Sequence, residues 1–227
     1  MSGLIFISPG SFDSPDGLPK IPLGRIEPIE SASYDWAADR LGDGPVEKWT
    51  DIVSGAVFAA PSGQSDKWPT ASSGSVRFDG SNDVADVTGL VGGQPKTIVI
   101  VGRIPGAVNN ARFFTGGSGA KFEFGIWQNA WTLSAGLTFK VPTPATADDQ
   151  WHVFVIVVDG ANSIVSIDGV ESTGNSGANP GTTLRLGMLD ANYVPAEIKR
   201  FAVIPYAAGA GERERLRSSL ASRYGIA

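Results

Sequence analysis

The stretch Trp151–Thr173, WHVFVIVVDGANSIVSIDGVEST, decides the fold. Val153–Val158 is a run of six apolar residues that stops at Asp159-Gly160, and a second β-rich run, Ile164–Ile167, stops at Asp168-Gly169. Asp-Gly pairs tolerate the positive φ that two-residue hairpin turns require, so each stop reads as a chain reversal. The segment is therefore expected to be strand, tight turn, strand, tight turn, strand. That is an antiparallel meander and not a βαβ unit, whose crossover takes about a dozen residues.

Working outward, short apolar runs separated by turn residues recur along most of the chain. Strands are expected at Ala56–Ala59, Ser75–Phe78, Val84–Val87, Lys96–Arg103, Arg112–Thr115, Phe122–Gln128, Ala130–Leu137, Thr183–Leu189 and Glu197–Pro205. This spacing predicts a two-sheet sandwich or jelly roll. Composition agrees: 29 Gly and 15 Pro with only 18% charged residues describe many turns and few amphipathic helices. A chain of 227 residues suits one large β domain.

Two strands are apolar on both faces, Ile98–Val101 and Val153–Val158. A strand with one wet face alternates, so both sides of these must be covered. One side belongs to the core between the sheets. The other needs a lid, supplied by a C-terminal helix, by an N-terminal arm or by another subunit. The helix is expected from Ala210 to Tyr224, with Leu216, Leu220 and Tyr224 on one stripe, Arg213, Arg215, Arg217 and Arg223 elsewhere, and Gly225 as C-cap. Glu212 and Glu214 near its start and Arg223 near its end suit the helix dipole.

Residues 1–45 read differently. Pro9, Pro15, Pro19, Pro22, Pro28 and Pro45 interrupt any long element, yet Leu4, Ile5, Phe6, Ile7, Ile21 and Leu23 make the segment too apolar for a solvated tail. The expectation is an extended arm at 1–45, lying against the sandwich or a neighbouring chain, followed by a domain at 46–227. The start, MSGLIFISPGSF, lacks a basic n-region and is not read as a signal peptide.

Several of these residues carry a family resemblance. The Trp151-His152 pair opening an apolar strand, the two Asp-Gly turns, Val76-Arg77-Phe78-Asp79-Gly80-Ser81-Asn82-Asp83 and Trp49-Thr50-Asp51 together resemble laminin-G-like, concanavalin A-like jelly-roll domains. The resemblance extends to Ala196-Glu197-Ile198 before a strand, and the helix ending Leu220-Ala221-Ser222-Arg223-Tyr224-Gly225-Ile226 looks like the variant common in bacteriophage virion proteins and bacterial surface proteins. The matches cover residues 46–226 in order. They imply an all-β two-sheet jelly-roll sandwich with an extended N-terminal arm and a short C-terminal helix. They also imply a virion role, as a minor tail or tail-tip component folded in the host cytoplasm. The arm would bind other virion proteins in a homo- or hetero-oligomeric assembly, and the loops could meet a host-surface glycan. A soluble or surface lectin module and a capsid decoration protein are the alternatives.

Charge and composition exclude other classes. A net charge of −5 and a pI near 4.9 argue against nucleic acid and anionic membranes, and no stretch is long enough for membrane insertion as a helix. With 0 Cys there is neither disulfide nor thiolate site. His152, the single histidine, reads as structural beside Trp151. Glycoside hydrolysis needs two facing carboxylates, and Lys121-Phe122-Glu123-Phe124-Gly125 supplies one; Asp148 and Asp149 are adjacent and belong to a loop. Gly116-Gly117-Ser118-Gly119 lacks the phosphate-loop spacing and reads as a hairpin tip. No catalytic residue and no cofactor are expected.

Two binding sites remain open. Calcium, the one metal considered, would use Asp79, Asn82 and Asp83, with Asp86 nearby, unless these residues only cap their turn. A glycan site would use Trp127 and Trp131 as stacking platforms around Asn129, with Asn109 and Asn110 or Asn192 and Tyr193 as polar companions, unless both tryptophans are core.

Overall fold

The computed structural model describes residues 28–90, 92–106, 110–116, 121–142, 149–189 and 192–226. Its first sheet grows from the meander: His152–Val158 pairs antiparallel with Ser163–Ile167, which pairs with Val170–Gly174. On the other side His152–Val158 pairs with Lys96–Arg103, which pairs with the long strand Pro195–Ile204. That strand has two partners on its far edge. Ser75–Asp79 takes its first half and Tyr34–Ala37 its second, and Thr70–Ser72 and Gly44–Pro45 finish the sheet. The second sheet runs Thr138–Lys140, Ala130–Ala135, Phe122–Trp127, Asn110–Gly116, Thr183–Leu186, Ala85–Thr88, Val57–Ala59, Lys48–Thr50. A small hairpin pairs Met188–Leu189 with Asn192–Tyr193. The expected two-sheet all-β sandwich with a C-terminal helix is what forms.

Of the two turns in the meander, Asp168-Gly169 is the expected two-residue hairpin, with φ of 51° and 94° between Ile167 and Val170. Asp159-Gly160 is not. Asp159 stays at φ −149° and the chain makes a short 3-10 turn over Gly160–Asn162 before Ser163, whose hydroxyl accepts from the Asp159 amide at 3.0 Å. The serine captures the backbone donor that a tighter turn would have paired.

Between the sheets the alternating residues meet in a largely aromatic core. Phe113, Phe124, Trp131 and Phe154 stack at one end, with Trp131 and Phe154 centroids 4.8 Å apart. Trp36, Phe58, Phe201 and Phe114 fill the other. A β-bulge in Asn110–Gly116 opposite Phe124 and Gly125 lets both Phe113 and Phe114 enter this core.

The doubly apolar strands have a second core on their outer face. Val99, Val101, Val153, Val155, Ala202 and Ile204 lie under Leu220 and Ala221 of the C-terminal helix, Ala210–Tyr224, and under Ile29, with Leu216 and Tyr224 at the margin. The lid is therefore intramolecular, made by the helix and the segment leading to Tyr34. Gly225 ends the helix in the left-handed region at φ 65°, as expected. Arg213 departs from its expected outward course. It is buried, donates to both carboxylate oxygens of Glu171 at 2.7 and 2.8 Å and to the Ala208 carbonyl, and clamps the helix start to the Val170–Gly174 edge.

Of the arm expected at 1–45, residues 28–45 are described, and they do not form an arm. Residues 28–45 belong to the sandwich, because Tyr34–Ala37 is a fully buried strand whose alternation was hidden between prolines. Pro45 sits at the sheet's edge, where a missing amide is tolerated. The arm residues Leu4, Ile5, Phe6, Ile7, Ile21 and Leu23 lie outside the described residues, as does the hairpin tip at 117–119.

One ion pair locks this entry segment. Arg200 donates to Asp35 through Nε, at 2.6 Å, and Nη2, and both side chains are at most 1% exposed. Asp35 also accepts from the Ile29 amide at 2.7 Å, while its own amide donates to Asp51. Asp51 in turn organises the following loop, accepting from the amides of Val53 and Ala56 and the hydroxyl of Ser54. Burial opposes its ionisation, but the hydrogen bonds from Ser54, Val53 and Asp35 outweigh it and hold its carboxyl below the usual range. Removing one partner of a buried pair leaves an uncompensated charge, so Asp35→Ala is expected to cost about 3–5 kcal/mol. The Asp35→Leu/Arg200→Met double variant should recover much of that in urea denaturation. Equal losses in the single and double variants would contradict the lock.

Candidate functional site

The helix closes the outer face of the first sheet; on the second sheet the face turned away from the core is polar, buried at Arg112, Glu123, Thr132 and Ser134 and exposed at Asn110, Trp127, Thr138, Lys140 and Lys48. Register places Thr138, Ser134, Glu123, Thr115, Arg185, Asp86, Ala59 and Lys48 in one row across all eight strands, polar at every position but one. Along Phe122–Trp127 the core takes Phe122, Phe124 and Ile126, so Glu123, Gly125 and Trp127 share the outward face. Arg185 and Asp86 form a bidentate pair at 2.6 and 2.7 Å within the row.

The predicted tryptophans separate on this alternation. The two-residue turn Gln128-Asn129, with φ of 52° and 59°, pairs Trp127 with Ala130 and Ile126 with Trp131. Trp131 thus falls on the core side and is 3% exposed, which corrects its reading as a stacking platform. Trp127 falls on the outside and is 37% exposed; of the six tryptophans it alone is an exposed one.

Around Trp127 the chain gathers amides and one cation. Asn110 is its cross-strand partner, and Gln128 and Asn129 follow it in the turn, all exposed. Lys140, two strands away, lays its ammonium 4.9 Å from the indole centroid and donates to the Gln128 carbonyl oxygen at 2.9 Å. Beside Asn110 on the same face, opposite Gly125, Arg112 is 2% exposed. Its Nη1 donates to the Asn110 side-chain oxygen and to the carbonyls of Ala111 and Ile126. Its Nη2 lies 3.4 Å from Glu123, and its Nε has no partner among the described residues. Arg112 thereby fixes the Asn110 amide through its oxygen. Lys140 was missed in the sequence. Its signal is the exposed–buried–exposed alternation of Thr138-Phe139-Lys140, which at 3 residues is below the length at which alternation marks a strand.

The other predicted companions lie elsewhere. Asn192 and Tyr193 sit in the small hairpin whose Met188 carbonyl accepts from Thr115. On the strand Asn110–Gly116 that is five residues from the partner of Trp127, about 17 Å at the usual rise. Asn109 lies outside the described residues.

The calcium candidates are engaged by their own turn. Asp79 accepts from the amides of Ser81 and Asn82 at 2.7 and 3.3 Å, Asp83 accepts from the Asp79 amide at 2.9 Å, and Asp86 is held by Arg185. Among the described residues no three His, Asp or Glu side chains group as a metal site. Glu123 faces Arg112, and Gly125 and Trp127 follow it on its face, so this strand presents one acid. His152 donates from Nδ1 to Asp168 at 2.5 Å, and Asp168 also accepts from the Val153 amide, tying the hairpin turn to the strand start. Its ring packs on Phe154 and Trp131.

Comparison with known proteins places the fold. No family model and no curated protein matches the chain. Among solved structures it is similar to the binding domain of botulinum neurotoxin serotype G, with a TM-score of 0.62, 16% identity, and 84% of this chain against 51% of that one. It is similar to a botulinum neurotoxin DC binding domain in complex with SialylT, with a TM-score of 0.60, 14% identity, and coverage of 84% and 52%. Trypanosoma rangeli sialidase gives a TM-score of 0.60 at 12% identity over 85% of this chain and 33% of its own. The chain spans about half the length of the neurotoxin domains and a third of the sialidase. At such identities the likeness is one of fold.

Asp83 supplies a test of the turn. Burial raises its carboxyl to about 6. A folded-state value above the unfolded one means that the folded chain holds the proton longer, so this contribution to stability is full below about pH 4 and lost as pH rises through 6. The loss should be of the order of 2–3 kcal/mol, absent in Asp83→Asn, with the wild-type melting midpoint unmoved by millimolar calcium. A calcium-dependent rise in midpoint would establish the metal site instead.

Proposed function

We propose that this chain is a non-catalytic bacteriophage virion protein, a minor tail or tail-tip component, whose sandwich adheres to a host-surface glycan through the Trp127 end of its second sheet. The observation that carries the adhesion reading is the exposed indole on an outer sheet face ringed by Asn110, Gln128, Asn129 and Lys140. Sugars present apolar C–H faces between hydroxyls. An indole platform with amides at its rim meets both. The neurotoxin binding domain in complex with SialylT and the sialidase share this fold with sugar-handling proteins, which makes the reading compatible with the architecture without locating a site.

The virion context rests on the resemblance of the C-terminal ending and on the apolar N-terminal arm. The intramolecular lid adds a reason to look to that arm. Since the helix and residues 28–33 cover the first sheet, attachment to a particle falls to residues 1–27 with Leu4–Ile7, Ile21 and Leu23, or to the sandwich's polar surfaces. The same lid equally suits a free-standing lectin module, which is the second reading; a capsid decoration protein differs in where the arm docks. Reaction chemistry has weak support, because Glu123 stands opposite an arginine and the single histidine is held by Asp168.

Two measurements test this. On a glycan array the wild type is expected to bind a restricted set of glycans and Trp127→Ala to lose about tenfold or more, whereas Tyr193→Ala should change little. Binding insensitive to Trp127 would remove the site. Deleting residues 1–27 is expected to leave thermal stability within a few degrees while abolishing incorporation into particles; incorporation at normal levels would defeat the anchoring role.

A further inference from the structure

We infer that the Trp127 site, taken as the glycan site proposed above, selects a sugar bearing an anionic group, a carboxylate or a phosphate, and that Lys140 is the residue that reads it. The inference rests on the hydrogen-bonding inventory around the indole. Two of the three side-chain amide oxygens there are engaged, that of Asn110 by Arg112 and that of Gln128 by Lys140, and Asn129 adds its own exposed amide to the rim. That leaves a ligand the amide nitrogens of Asn110 and Gln128, the Asn129 amide and the Lys140 ammonium, with donors in excess of acceptors. A neutral sugar offers donors and acceptors alike. A donor-rich rim with a net cation favours a ligand rich in acceptors and negatively charged.

Lys140 has no evident duty in the fold. Thr138–Lys140 is the last strand of its sheet, where a lysine commonly extends off the edge to discourage further pairing. This one leans inward instead, over its own sheet, to the ring of Trp127 and the Gln128 amide. Neither partner neutralises it, and among the described residues no carboxylate lies within ion-pairing distance of its ammonium. The chain carries −5 overall, so an unneutralised cation placed against the one exposed indole is a local reversal of sign. An anionic substituent on a pyranose stacked on that ring would draw the ammonium into a direct ion pair while keeping the ring contact, at little conformational loss because Lys140 is already there.

The test uses the full chain and three glycans matched in linkage and differing at one terminal residue: glucose, glucuronic acid and glucose 6-phosphate. Titration calorimetry is run with the wild type, Lys140→Gln, Lys140→Arg and Trp127→Ala, beside an array holding neutral, carboxylated and phosphorylated glycans. The expected result is that charged glycans bind about tenfold more tightly than neutral ones, that Lys140→Gln removes the difference and Lys140→Arg keeps most of it, and that added salt weakens only the charged class. Preference for one charged arm over the other identifies the group. Trp127-dependent binding that is equal for neutral and charged glycans overturns the charge selection and leaves the adhesion reading standing. The absence of any Trp127-dependent binding across the array overturns both.

Discussion

A sheet that is apolar on both faces cannot stand at the surface of a protein, and most of this structure follows from how that sheet is covered. Val99, Val101, Val153 and Val155 point away from the main core, so a second layer must close over them. Each such side chain contributes roughly 1.5–3 kcal/mol when buried. The helix alone covers one part of the face. The rest depends on Ile29 and its neighbours, which are held in place because Tyr34–Ala37 pairs with the second half of Pro195–Ile204 and Asp35 meets Arg200. The buried ion pair is thus a positional device: it sets where the entering chain crosses the sheet. The bulge between Ile198 and Arg200 in the pairing with Lys96–Arg103 lets Arg200 reach Asp35 while Lys199 turns to Trp151, 4.3 Å from its ring.

The second sheet turns a polar row away from the core, buried at Glu123 and Ser134 and exposed at its two ends, Thr138 and Lys48. Its strands are held by an aromatic core on one side, so the positions of Asn110, Trp127 and Lys140 are set by register and not by loop conformation. A platform built on strands binds with little ordering of its own, which suits adhesion to a repetitive surface where many weak contacts act together. Arg112, on the same face, adds rigidity by joining Asn110 to the Ile126 carbonyl.

Much of this was legible in the sequence because it is local. The meander, the doubly apolar strands, the helix with its Gly225 cap and the Asp168-Gly169 turn are periodicity and turn chemistry within a few residues. Trp131 could have been assigned to the core by the same means, since Phe122, Phe124 and Ile126 fix the inward parity and a two-residue turn carries it to Trp131. The misreadings are non-local or competitive. Tyr34–Ala37 finds its partner about 165 residues away and is flanked by prolines, so nothing nearby distinguishes it from the arm. Asp159-Gly160 carries the hairpin signature, but the Ser163 hydroxyl competes for the Asp159 amide and the turn widens. The Lys140 contact with Trp127 depends on the pairing order of three strands, which no spacing in the chain reveals.

The account turns on which indole meets the ligand. The six tryptophans give six indole N–H resonances in a nitrogen-15 correlation spectrum, and titration with the tightest-binding glycan asks directly which of them moves. The account predicts a progressive shift of the Trp127 resonance, accompanied by the side-chain amides of Asn110 and Gln128, with those of Trp36, Trp49 and Trp131 in the core unchanged. A shift centred on Trp151 or Trp68, with Trp127 unmoved, would contradict it.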